Sequence, residues 1–74
     1  MRVVSFDDGT SCSIGAVHGD GFEPHEGDQF LFEFPDGDVR VGTVRFGVSV
    51  GIPEEIPAYN AIFDRHTRIM TLEV

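Results

Sequence analysis

Up to Pro57 this chain never runs more than eight residues without a glycine or proline to bend or break the backbone, and residues 58–74 contain neither. Nine glycines and four prolines are spread through 74 residues, and short apolar runs rich in Val and Phe lie between them. A helix of ordinary length needs apolar residues at three- and four-residue spacing over about ten positions, whereas a strand needs only about four to eight in alternation. Before Pro57 the punctuation leaves room for strands and little for helices. It predicts an all-β fold: a small, strongly bent antiparallel sheet or partly open barrel of five or six strands with one short helical turn. The length allows a single domain, residues 1–74, that buries roughly 60% of its unfolded surface. That scale excludes large catalytic barrels and full dinucleotide-binding folds. No run approaches about 18 apolar residues, and no positive region precedes a long apolar stretch, so neither a membrane span nor a signal peptide is expected.

Two hairpins stand out. Residues 2–6 and 10–18 are strands flanking the turn Asp7-Asp8-Gly9. A three-residue loop places Val4 opposite Cys12; a two-residue Asp8-Gly9 turn places Val3 opposite Ile14. Both leave apolar residues on each face, so both registers stay open. In the second hairpin Phe30, Phe32 and Phe34 alternate with Leu31 and Glu33, Pro35-Asp36-Gly37-Asp38 turns the chain, and Val39-Arg40-Val41 returns. An even loop sets Phe34 against Val39, Glu33 against Arg40 and Phe32 against Val41, with apolar pairs on one face and an ion pair on the other. A three-residue loop sets Phe32 against Arg40 and mixes the faces, so the two-residue period favours the even loop.

Beyond Val41 the apolar phase changes. Val39 and Val41 are odd-numbered, whereas Val44, Phe46, Val48 and Val50 are even. A bulge or bend at Gly42-Thr43, or at Gly47, reconciles them. Residues 19–28 carry three glycines and one proline and read as a loop with Phe22 tucked beneath it. Pro53, followed by Glu54 and Glu55, suits the start of a short helical turn. Residues 57–66 admit two readings: a helix, since Tyr59, Ile62 and Phe63 have helical spacing, or a short strand at 61–63 and a turn at 64–67. A last strand over 68–74 puts Met70, Leu72 and Val74 on one face.

Charge is distributed unevenly. Seven Asp and six Glu oppose five Arg, with no Lys, for a net charge of −8. Residues 1–38 hold nine acids and one Arg; residues 39–74 hold four of each. Such a field repels nucleic acid and anionic membranes, because phosphate binding needs cationic side chains. It favours a basic partner, and it also keeps a small domain soluble.

The chemical motifs are weak. Cys12 is the only cysteine, which precludes an intrachain disulfide, fits a reducing cytoplasmic setting, and reads as a small buried hydrophobe rather than a nucleophile. His18 and His25 lie among acids but match no metal-binding spacing. Asp7-Asp8, Glu54-Glu55 and the Asp36/Asp38 pair sit in turns and on surfaces, where water screens them and no raised carboxyl pKa is expected. Ser5, Ser11, Ser13 and Ser49 lack a nucleophile elbow. Gly19, Gly21 and Gly27 lack the helix and lysine of a phosphate loop. The expectation is therefore a noncatalytic module without cofactor or metal: an adaptor or inhibitor that binds the basic surface of a macromolecular partner, extending to mimicry of nucleic acid. Its candidate partner-binding residues are Asp20, Phe22, Glu23, Glu26, Asp28, Asp36 and Asp38, joined by Asp7 and Asp8 if the hairpin tips converge. Phe22 would be an apolar anchor or else a core plug. The competing expectations are an assembly subunit acting through a homo-oligomer or an exposed strand edge at residues 44–50 or 70–74, and, third, a small metal-binding protein or enzyme.

Overall fold

A computed structural model describes residues 2–19, 21–46 and 56–74. The strands are β1 (Arg2–Phe6), β2 (Ser11–His18), β3 (Gln29–Glu33), β4 (Val39–Phe46), β5 (Ala58–Asp64) and β6 (Ile69–Glu73). They close into a barrel in the order β1-β2-β5-β6-β3-β4, with β4 returning to β1. The all-β expectation holds, and closure is complete. Four pairings are antiparallel, including the non-consecutive β1 with β4, whereas β2 with β5 and β3 with β6 are parallel, a pairing that a tight hairpin cannot connect. Residues 57–66 form no helix: Tyr59, Ala61 and Phe63 turn inward with a two-residue period, and the strand starts at Ala58. In β6, Met70 and Leu72 are buried as expected, while Val74 lies exposed beyond the strand. The expected turn at Pro53 and the Gly47 bend fall outside the described residues.

Both hairpins use the same turn. The Gly9 amide donates to the Phe6 carbonyl at 3.1 Å, and the Phe6 amide to the Thr10 carbonyl at 2.9 Å; Gly37 and Phe34 repeat this with Phe34 and Asp38 at 2.9 and 2.8 Å. Gly9 and Gly37 have φ of 90° and 92°, a left-handed conformation that glycine adopts without a Cβ clash. Each is a three-residue loop built as a type I turn followed by a left-handed residue. In the first hairpin this selects Val4 opposite Cys12. In the second it overturns the even loop: Glu33 pairs with Val39, Phe32 with Arg40 and Leu31 with Val41.

The reason lies in β4, whose ladders to β1 and β3 run through Gly42-Thr43 without a bulge. Gly42 and Val44 face inward, while Val39 and Val41 face solvent. Phase is thus resolved by exposing two valines, not by bending the strand. Gly42 has to face inward as glycine, since a Cβ there would lie 2.5 Å from a methyl of Val4 and 2.8 Å from two ring atoms of Phe32. The bulge occurs instead in β2, where the register to β5 shifts between Ile14 and Val17. The side-chain carbonyl of Asn60 accepts the freed Ala16 amide at 3.0 Å, so the irregular backbone keeps a hydrogen-bond partner.

Seven aromatic rings run through the barrel in a continuous series, Tyr59, Phe34, Phe6, Phe32, Phe30, Phe63 and Phe22, with successive centroids 4.0 to 6.2 Å apart. Phe32 sits in the middle with 1% of its surface exposed. Most of the contacts are edge-on, the arrangement the ring quadrupole favours.

Candidate functional site

Strand directions place the two hairpin tips side by side at one end of the barrel, and Arg40 ties them together. Its Nε donates to Asp38 Oδ2 at 2.7 Å, and its Nη1 lies 3.0 Å from Asp8 Oδ2 and donates to Thr10 Oγ1 at 3.2 Å. The guanidinium lies 4.7 Å from the centre of the Phe34 ring. Although Arg40 occupies an inward phase of β4, its position at the barrel rim lets the head reach out over Phe34, so its charge stays in contact with water and carboxylates.

Asp8, Asp36 and Asp38 are held in defined positions. Asp8 Oδ1 accepts the Thr10 hydroxyl at 2.6 Å and the Thr10 amide at 3.0 Å; Asp36 Oδ1 accepts the Asp38 amide at 2.9 Å. The Thr10 hydroxyl, then the Thr10 amide and Arg40, hold the Asp8 carboxyl below its usual range. Asp38, first through its hydrogen bond, raises the pKa of Arg40. Among the described residues, Asp7 and Asp36 form no ion pair within 4.0 Å, although the charge of Asp36 is near enough to Arg40 to help raise its pKa. Beside the tips lies an open cleft of about 510 Å³, bordered by Thr10, Phe34, Asp36, Arg40, Pro57 and Tyr59.

The acidic block of residues 20–38 does not form one surface. Asp36 and Asp38 stand at the tips with Asp7 and Asp8, but Glu23, Glu26 and Asp28 lie in the loop at the opposite end, separated by the length of β3, about 17 Å. That loop is anchored to β4: Gly27 donates to the Val44 carbonyl and Val44 to the Asp28 carbonyl, both at 2.8 Å. Glu23 lies 3.8 Å from Arg2, and Asp28 accepts the His25 amide at 2.8 Å. Asp20 falls outside the described residues. Phe22 is the core plug: it is half-buried, stacks on Phe63 at 4.0 Å and meets Phe30 edge-on.

Charge is segregated along the barrel axis. The tip half carries Asp7, Asp8, Glu33, Asp36, Asp38 and Glu73 against Arg40 alone. The loop half carries Glu23, Glu26, Asp28 and Asp64 against Arg2, Arg45, Arg65 and Arg68. The surplus of the described residues therefore sits at the tips. Sequence reasoning missed Arg40 as the organiser of this end, together with Thr10 and Tyr59. The available signal was Phe-x-Asp-Gly, which occurs at both Phe6 and Phe34 and marks two identical turns.

No group of three or more metal-ligating side chains gathers among the described residues; His18 ends β2, and His25 lies in the loop beyond it. Nor is any described helix long and apolar enough to cross a membrane. Cys12 is 1% exposed, and burial pushes its thiol up to about 11. It should resist a disulfide reagent at pH 8 in the folded protein and react at once in denaturant, since the thiolate is the nucleophile; rapid stoichiometric labelling of the native protein would show that the thiol is accessible. No protein-family model, curated protein or solved structure matches the chain.

Proposed function

We propose that this is a noncatalytic interaction module that captures a basic protein surface with the hairpin-tip end of its barrel. The observation that carries the reading is the convergence of Asp7, Asp8, Asp36 and Asp38 on two turns cross-linked by Arg40. Fixed carboxylates lose little freedom on binding, and a field of one sign speeds encounter with the opposite sign. The adjoining cleft supplies aromatic surface from Phe34 and Tyr59 on which a partner's guanidinium could stack. Arg40 already illustrates that mode of binding, with its guanidinium over Phe34 and between two carboxylates.

Compact clustering at one end favours a basic patch or peptide over mimicry of nucleic acid, which calls for carboxylates spaced along an extended surface. Among the described residues every strand of the closed barrel has two neighbours, which disfavours a strand-edge assembly role at residues 44–46 and 70–74; residues 47–50 fall outside the described ones.

The test uses an arginine-rich peptide and a neutral peptide of the same length, with binding followed by amide chemical shifts. Shifts should concentrate at residues 7–10 and 35–40, and binding should weaken with salt. Reversing Asp7 and Asp36 to Lys should lower affinity by about tenfold or more, while reversing Glu23 and Glu26 should change it little. Equal losses at the two ends, or a response to the neutral peptide as strong as to the basic one, would dispose of the proposal.

A further inference from the structure

Across the outer faces of β4, β3 and β6 three apolar residues stand in register, Val41 beside Leu31 and Leu31 beside Ile69. One row nearer the hairpin tips, Val39 adjoins Glu33, Glu33 adjoins Thr71, and Thr71 adjoins Ile62 of β5. Leu31 is 43% exposed, Val39 48%, Val41 40% and Ile62 40%. Isolated exposed aliphatics are ordinary on any surface, but these are neighbours on one face, the pattern that marks an interaction surface.

Charges border this face in order. Toward the loop end Arg45 continues the outward row of β4, and Arg68 borders a shallow recess of about 290 Å³ beside Leu31 and Val41, with its guanidinium carbon 5.6 Å from the centre of the Phe63 ring. Toward the tips Glu33 stands within the second row, between Val39 and Thr71, and Glu73 lies beyond it. Along the strands the sequence is therefore cation, apolar, anion. One operation makes that pattern complementary to itself: a two-fold axis lying in the face and crossing the strands. It sets apolar row on apolar row and brings the arginine end of each copy over the glutamate end of the other, twice by symmetry. An axis along the strands would instead oppose like charges, with each copy already at −8, an arrangement that electrostatics penalises. From this we infer that a second copy of the chain docks antiparallel on the β4-β3-β6 face to form a two-fold dimer, with the apolar rows supplying the buried area and the flanking charges setting direction.

Sedimentation of the full chain from micromolar to millimolar concentration at near-physiological salt tests this. A reversible monomer–dimer equilibrium is expected, and Leu31→Glu should weaken it at least about tenfold. Replacing Glu33 and Glu73 by Arg lowers the net charge from −8 to −4, since each reversal removes one negative charge and adds a positive one. Generic repulsion then falls, yet the dimer should weaken. Adding Arg45→Glu and Arg68→Glu inverts the gradient, returns the charge to −8 and should restore association. A chain that stays monomeric to millimolar concentration overturns the inference. So does an association strengthened by the double reversal, or one not recovered by the full inversion. Circular dichroism melts confirm that each variant is folded, and because the altered residues other than Arg68 lie on the outer face away from the core, Leu31→Glu alone serves as the decisive variant if the inverted chain melts early. Peptide binding at the tips should be unchanged in Leu31→Glu, so the two proposals can fail separately.

Discussion

Replacing Phe32 by Ala should destabilise the protein by about 3–5 kcal/mol, the range for a buried phenylalanine whose neighbours cannot collapse fully into the vacated space. Phe32 is 1% exposed and lies between Phe6 and Phe30 in the aromatic series, 5.7 and 6.2 Å from their ring centres. Removing its ring opens a void and also breaks the one continuous connection between the Phe6-Phe34-Tyr59 group at the tips and the Phe30-Phe63-Phe22 group at the loop end. A domain of this size has a total stability of roughly 4–11 kcal/mol, so the variant should stand close to its unfolding threshold. Urea titration would register the change as a shift in midpoint at nearly constant slope. A loss below about 1 kcal/mol would mean that Phe32 is not enclosed as described.

Enlarging Gly42 should be the second severe change. A Cβ at this position would stand 2.5 Å from Val4 and 2.8 Å from Phe32, both fully buried side chains with no open space to move into. Overfilling of this kind costs about 1–3 kcal/mol for a methyl group, and Gly42→Val should exceed Gly42→Ala. The two sites share an atomic contact, so their effects should not add. In a Phe32→Ala background two of the three close approaches to Gly42 vanish, and Gly42→Ala should cost about 1 kcal/mol less than it does alone. Simple additivity in urea would show that Gly42 faces elsewhere and that the phase of β4 has been misplaced.

That phase is where reading from sequence reached its limit. In the second hairpin the alternation of Phe30, Phe32 and Phe34 points to their inward face, where the structure has them, but the return strand carries a misleading signal in its valines. Hydrophobicity alone favours an inward Val39 and Val41, and the even loop satisfies them. In the closed barrel the interior at that level is filled by Phe32 and Val4, and only a residue without a Cβ fits between them. Gly42 thus sets the phase of β4 and sends both valines outward. The same argument explains Arg40, which occupies an inward phase at the rim and gains carboxylate partners from two turns that are distant in sequence.

The candidate site was legible only in part. The repeated Phe-x-Asp-Gly motif was present in the sequence, and the convergence of the two tips stood as a condition. Contiguity of residues 20–38 in the chain does not make them one acidic surface. β3 lies inside that interval, and a five-residue strand carries its two ends about 17 Å apart. Glu23, Glu26 and Asp28 therefore share an end of the barrel with four arginines, while Asp36 and Asp38 share the other with Asp7 and Asp8.

What the sequence determined by itself was local: where the chain turns, that its segments outside residues 57–66 are strands, that alternate phenylalanines are inside, and that Cys12 is buried. Those properties depend on φ preferences and side-chain volume within a few residues. Strand partners, the phase of β4, the gathering of the tip carboxylates and the charge gradient along the outer face were decided by the tertiary structure. Each depends on barrel closure, which brings residues thirty or more positions apart into contact and allows one glycine to outweigh two valines.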